Sequence, residues 1–405
     1  MVSRTGTASS VRWGARRWSL LFVLSGNMLL DAIEVSVVLI ALPTIAGRLG
    51  LTPWGVQWLM SGFALGFAAL LLIGPRVSAR IGRRRAYLAA MAVFGLTSVA
   101  GGLVDGLALL VAVRVVKGCC AALTAPAGLA IISETFPEGP QRRRAVSVYS
   151  FFGAVGFTTG LLLAGLLVEQ DWRWIFVFPA PVALVLLVFG RYVLPHDLTV
   201  SPPRTPQPAL LRNPALRRSA LVAATLNGTY QSVLVLMTFQ AHRVFGWTPW
   251  QTALALLPAC APLVLAVPFA GRLIARYGTG RLIALGALFP FLGYVLYAAR
   301  PEDSPYALGM LPTVLLVEAG FCCAFTALNM HATASVDIAD RGAAVSLYQL
   351  CVQLGAGLLL PLVALVSHLG GVRAALTLVT VVGTLGLVTA LAGRPTGLTR
   401  SGAPR

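Results

Sequence analysis

Residues 75–85 read PRVSARIGRRR, and residues 271–281 read GRLIARYGTGR. Laid over one another at an offset of 196, they share Arg76/Arg272, Ala79/Ala275, Arg80/Arg276, Gly82/Gly278 and Arg85/Arg281, and each follows a long apolar stretch. A second echo comes in the same order, Ala145-Val-Ser-Val-Tyr149 and Ala344-Val-Ser-Leu-Tyr348, at an offset of 199. Two echoes at equivalent points argue for a duplicated unit. Between the copies, residues 195–218 (PHDLTVSPPRTPQPALLRNPALRR) are rich in Pro and Arg and hold no apolar run, so they read as a linker.

Outward from these markers the chain is apolar. Of its 405 residues 57% are hydrophobic and 11% charged, which leaves too few charges to coat an ordinary soluble domain and excludes a disordered chain. The apolar stretches are continuous and do not alternate, which excludes an outer-membrane barrel. A membrane helix needs about 20 apolar residues. Twelve spans fit, at 18–46, 54–75, 86–104, 107–134, 145–168, 174–194, 219–241, 250–271, 282–299, 306–334, 343–367 and 372–393. The expected organisation is a cytoplasmic segment 1–17, a six-helix bundle 18–194, the linker 195–218, a second six-helix bundle 219–393 and a cytoplasmic tail 394–405.

Charge placement sets the expected orientation. With both termini in the cytoplasm, Arg48, Arg173, Arg243, Arg300 and Arg373 face outside and Arg114 and Lys117 lie within spans, which leaves 24 of the 31 basic residues inside. The positive-inside rule favours that arrangement, and all eight Trp fall at its interfaces. The net charge of +18 is therefore read as topology and attraction to anionic lipid, not as a nucleic-acid surface. The first span is too long for a signal peptide and carries Asp31 and Glu34, so it reads as a retained helix. All six Cys fall inside spans and cannot form an extracellular disulfide framework. There is no Gly-Lys-Ser/Thr phosphate loop, and none of the four His has metal-ligand spacing, so neither an enzyme nor a cofactor is expected.

Charges inside the membrane point to function, because each costs about 2.5–3.5 kcal/mol on insertion scales. Asp31 and Glu34 share a face of span 1, with Asn27 one turn before; Arg114 and Lys117 share a face of span 4; Glu318 begins a stripe on span 10 with Cys322, Phe325 and Asn329. Three carboxylates stand against two cations, so one acid lacks a partner and is a candidate proton carrier. Glu34, Asp31 and Arg114 are the expected proton-coupling set. The plainer alternative is a structural clasp in which the two acids neutralise Arg114 and Lys117. Candidate substrate contacts are Lys117, Glu318, Asn27, Asn227, Gln231, Asn329, Gln349 and Gln353, although interhelical hydrogen bonding is the ordinary role of such amides. Tyr230 lies close to Asn227 and Gln231, and Phe151, Phe152, Phe157, Phe321 and Phe325 suit either a lipophilic substrate or packing.

Several motifs resemble the major facilitator superfamily, and within it the drug:proton antiporters. Arg80-Ile-Gly82-Arg-Arg-Arg85 looks like the family's loop between spans 2 and 3, and Arg114-Val-Val-Lys-Gly118-Cys-Cys-Ala-Ala122 resembles its span-4 motif. Glu34-Val-Ser36 with Ala41-Leu42-Pro43, and Asp171-Trp-Arg-Trp-Ile-Phe176, are similar to motifs of the fourteen-span exporters, whose two extra central helices do not fit here. Gly153, Gly156, Gly160 and Gly165 echo the glycine-rich antiporter motif, with Leu161 in place of its Pro. Ala79 and Ala275 stand where the loop motif has an acid, and Lys117 where the span-4 motif has Gln. The resemblance implies two pseudo-symmetric six-helix bundles, a central site, a proton gradient as energy source and a role for the span-4 Arg in proton transfer. It also implies a conformational gate at Gly82, Arg80, Arg83, Arg84, Gly156 and Gly160. The expected activity is proton-coupled export of a small amphipathic or lipophilic compound by a monomer in the cell membrane. Two alternatives stand beside it: a uniporter or exchanger of an anionic metabolite, favoured by Arg114 and Lys117, and a transport-inactive sensor or assembly protein, favoured by Ala79 and Ala275.

Overall fold

A computed structural model describes residues 13–392 apart from 138, 196–209, 211, 267–268, 335 and 338–339. Much of the expected linker, the first twelve residues and the expected tail 394–405 lie outside the described residues. Among the described residues the chain is helical and holds no strand. The first half contains α1 (Ala15–Leu49), α2 (Pro53–Val56), α3 (Trp58–Ile81), α4 (Arg83–Leu103), α5 (Leu107–Thr135), α6 (Pro140–Gln170), α7 (Trp174–Val177) and α8 (Pro179–Val193). The second contains α9 (Pro214–Arg243), α10 (Pro249–Ala266), α11 (Ala270–Tyr277), α12 (Thr279–Ala298), α13 (Met310–Ala334) and α14 (Arg341–Leu391).

Ten helical stretches among the described residues are long and apolar enough to cross a membrane, with α2 running into α3 and α7 into α8. The 51 residues of α14 would span about 77 Å as a straight helix, more than twice a hydrocarbon core. They bend back at Gly371, whose φ of 80° and ψ of 176° are not helical, so α14 contains the last two expected spans. α10, with Pro258 and Pro262 inside it, stands where the eighth span is expected. α9 begins at Pro214, five residues earlier than expected: Pro214 is fit for a first helical position and Asn213 Oδ1 caps the helix, accepting from the N–H groups of Ala215 (3.0 Å) and Leu216 (3.3 Å).

The duplication read from the sequence is present in the backbone. Gly82 ends α3 and opens α4 with φ 86°, and Gly278, its partner in the echo, joins α11 to α12 with φ 78°. Both turns need the left-handed region that glycine enters freely. α1 packs on α6 as α9 packs on α14, and both crossings bring backbones together at glycine. A Cβ at Gly156 would lie 2.5 Å from the Leu29 carbonyl oxygen; one at Gly355, 199 residues later, would lie 2.1 Å from that of Ala224.

The buried side chains form three cores. One is shared by both halves and gathers the ends far from the termini: Leu39–Ile45 of α1, Leu161 and Val168 of α6, Val233–Phe239 of α9, Ala253–Cys260 of α10 and Val363 and Leu376 of α14. At the opposite end, called here the terminal end, each half has a core of its own. That of the first half includes Trp13, Tyr87, Phe94, Ile131, Phe136 and Tyr149, and that of the second Leu216, Ile283, Leu328, Leu347 and Tyr348. The halves are therefore fused at the far end and carry separate cores at the terminal end. Contacts of α3 with α14, α6 with α10 and α1 with α9 make the seam.

The α1–α6 crossing yields a direct test. Gly156→Ala places a methyl against backbone that cannot swing aside, and overpacking of this kind costs about 1–3 kcal/mol. Its thermal midpoint in detergent falls below that of wild type. Gly47→Ala, on the same bundle with nothing within 4 Å of the added Cβ, leaves it unchanged or raises it.

Candidate functional site

The helix pair α1 and α5 brings three of the five intramembrane charges together. Glu34 Oε2 accepts from Arg114 Nη1 at 2.6 Å and Glu34 Oε1 accepts from Lys117 Nζ at 2.7 Å. Arg114 and Lys117 are three apart on α5 and so reach the carboxylate from one helix face. All three side chains are buried, at 1%, 1% and 0% exposure. Arg114 Nε also donates to the Leu59 carbonyl of α3 at 2.8 Å, so the cluster ties three helices. Aromatic faces complete the shell: Arg114 lies 4.6 Å from the ring centre of Phe63, and Lys117 lies 5.0 Å from Phe94 and 5.9 Å from Phe176. These rings recover part of the solvation that the cations lose on burial. With every group ionised, the cluster carries one surplus positive charge.

Asp31 is arranged differently. It is one turn nearer the terminal end, half-buried, and its Oδ2 accepts from Asn27 Nδ2 at 3.2 Å. Both cations are engaged by Glu34, and among the described residues Asp31 makes no ion pair. Glu318 on α13 is the third carboxylate. It is 2% exposed; the Tyr230 hydroxyl of α9 lies against its carboxylate, and its Oε2 has no hydrogen-bond partner. Beside it Tyr230 of α9 stacks on Phe321 (4.9 Å, 29°) and Phe321 on Phe325 (5.0 Å, 17°).

The amide candidates divide. Asn227 Nδ2 donates to the Val352 carbonyl at 3.0 Å and so joins α9 to α14. Gln231 keeps a buried Oε1 without a partner. Asn329, Gln349 and Gln353 are half-buried on α13 and α14. Of the expected gate, Arg83 pairs with Glu134 of α5 and Arg84 donates to the Arg191 carbonyl of α8, both within the first half, while Arg80 is exposed. Gly160 lies, like Gly156, against α1, where its added Cβ would meet Ser36 and Ile33. The six cysteines are free.

Sequence reasoning missed the Leu59 carbonyl, the rings of Phe63, Phe94 and Phe176, and the Glu134 partner of Arg83. None carries a local signal, because each is defined by the rotation of one helix against another.

The clasp makes a stability prediction. Glu34→Ala leaves two uncompensated buried cations and costs about 3–5 kcal/mol, whereas the triple substitution Glu34→Leu, Arg114→Met, Lys117→Leu recovers most of the loss. Thermal unfolding in detergent checks both, and additive losses would show that the three residues do not act as one unit.

Comparison with known proteins places this geometry. The model of the Major Facilitator Superfamily matches residues 24–338. The puromycin resistance protein pur8 of Streptomyces alboniger is 30% identical, the alignment covering 87% of this chain and 82% of that protein. The lincomycin resistance protein of Streptomyces lincolnensis is 29% identical over 87% and 85%, and the cephamycin export protein CmcT of Amycolatopsis lactamdurans is 27% identical over 80% and 79%. Among solved structures, a bacterial homologue of the human lysosomal transporter Spinster, in an inward-facing and occupied conformation, superposes with a TM-score of 0.75 at 18% identity, covering 94% of this chain and 97% of the other. With a family match across most of its length, paired helical halves and relatives that are antibiotic resistance and export proteins, the chain belongs to the Major Facilitator Superfamily and is a multi-pass membrane transporter, not an enzyme.

Proposed function

We propose that this transporter exports a small amphipathic or lipophilic compound, a drug or secondary metabolite, in exchange for protons, by a rocker-switch motion of its two halves. The observation that carries the reading is the sharing of Glu34 by Arg114 and Lys117, with Asp31 unpaired one turn away on the same helix. The named activities of the relatives support the substrate class.

On this reading the basic loops place the terminal end in the cytoplasm, and the parted cores leave the monomer open to its substrate from that side. Ionised Glu34, held by both cations, is the arrangement after proton release. A proton arriving at Glu34 from the far side neutralises the carboxylate and loosens its hold on Arg114 and Lys117. The clasp between α1 and α5 then yields, and the change reaches the seam through α1, which touches α9 and α10 of the other half. Asp31, half-buried and nearer the terminal end, takes the proton from Glu34 and passes it to the cytoplasm. The glycine crossings keep each half rigid while the pair rocks. Arg83 and Arg84 brace the first half at the end that parts.

Proteoliposomes with an imposed pH gradient test this directly. Puromycin, lincomycin and a labelled organic anion are added in turn while internal pH is followed. The expected result is proton flux triggered by at least one antibiotic, abolished in Glu34→Gln and reduced in Asp31→Asn. Normal transport by both variants at every pH would sink the coupling scheme. The surplus positive charge of the clasp favours one other reading, exchange of an anion. Anion movement that ignores pH but is lost in Arg114→Gln and Lys117→Gln would select it.

A further inference from the structure

The far end is closed, yet it is not filled. Between α9, the turn that joins α12 to α13, and the bend of α14 lies a cleft of about 120 Å³. Its floor is apolar, with Val235 and Leu236 of α9 set against Leu360 and Val363 of α14, all of them buried. Its mouth carries two opposite charges: Arg243, the last residue of α9, and Glu302 in the turn. The turn is pinned over the cleft. Gln240 Nε2 donates to the Glu302 carbonyl, Tyr297 donates its hydroxyl to Gln240 Oε1, and Tyr306 donates its own to the Ala255 carbonyl of α10 at 2.6 Å. Arg243 is steadied by the ring of Phe239, 5.8 Å from its guanidinium. Both charged side chains are exposed, and among the described residues neither forms an ion pair. One further wall residue, Pro53 of α2, comes from the first half, where α2 packs on α14.

This build defines what the cleft can hold. An apolar cavity of roughly 150 Å³ takes one benzene ring, so the floor suits a slim body, a single ring or a short alkyl chain. Burial of that body supplies the affinity, while charges at a solvated rim add little strength but choose among partners. A lone cation would meet Arg243 and a lone anion would meet Glu302, whereas a head carrying both charges satisfies both. Because Pro53 belongs to the first half and the other walls to the second, the cleft exists only while the far ends are together. A ligand seated there binds one conformation, and such a ligand draws the population toward it.

We propose that this cleft is a second, regulatory binding site, whose ligand class is a small zwitterion with a slim apolar body, and that its occupation holds the far end shut. The holding of the halves rests on the rocker-switch reading above; the binding does not. An occupied transporter is arrested with its terminal end open and must release the ligand before the far end parts.

The test is titration calorimetry of the full-length protein in lipid nanodiscs with phenylalanine, phenethylamine and 3-phenylpropanoate, which share ring and linker and present a zwitterion, a cation and an anion. Wild type binds phenylalanine about fivefold more tightly than either of the others. Glu302→Gln raises 3-phenylpropanoate to the level of phenylalanine, and Arg243→Gln does the same for phenethylamine. Both positions are exposed, so the fold is kept. Ala364→Leu fills the cleft and weakens all three about tenfold. Wild type that binds no phenylalanine or binds all three alike refutes the site, as does an order of affinity that neither rim variant changes. Spin labels at Arg85→Cys and Arg281→Cys, equivalent positions of the two repeats at the terminal end, read the arrest: saturating phenylalanine shifts their distance distribution toward larger separation, and an unchanged distribution refutes the arrest. Calorimetry needs neither gradient nor substrate, so a failure of proton-coupled export leaves the site standing, and absence of the site leaves the export assay untouched.

Discussion

A single buried carboxylate facing two buried cations is the constraint on which the first half depends. Each of these ions alone is expensive to bury; together, with the Leu59 carbonyl and three aromatic rings, they form a set that holds only while all members are in place. A hydrophobic contact between α1 and α5 would hold without such conditions, whereas this one rests on the balance of one carboxylate against two cations.

Around that contact the packing restricts what can move. Backbone lies against backbone where α1 crosses α6 and again where α9 crosses α14, with no side-chain layer between to deform. The core at the far end is common to both halves, whereas at the terminal end each half has its own. The halves meet along the seam of α3 on α14 and α6 on α10.

Much of this architecture is written locally and can be read without coordinates. Apolar runs announce spans, and the glycines at 82 and 278 mark turns that the structure makes with positive φ. The residues of the charged site were also visible, since intramembrane charge is rare. Their pairing was legible as a clasp of the acids with Arg114 and Lys117, but not which acid would close it. Asp31 and Glu34 share a face but differ in height by about 4.5 Å along the helix, and which of them meets α5 depends on how α1 is tilted and turned. The start of α9 was read late for another reason: Arg217 and Arg218 looked like linker, whereas the cap at Asn213 and the proline after it had already begun the helix. The separation of the two cores at the terminal end carried no local signal, because it depends on how the halves are set against one another.

The two halves share one repeat, yet among the described residues the buried ion pairs lie in the first half, and the buried carboxylate Glu318 of the second makes none. The two sets are carried by different helices. Exchange of a ring on α9 or α13 therefore leaves the ion pairs between α1 and α5 as they are, and the charge balance of one half is insulated from changes of shape in the other.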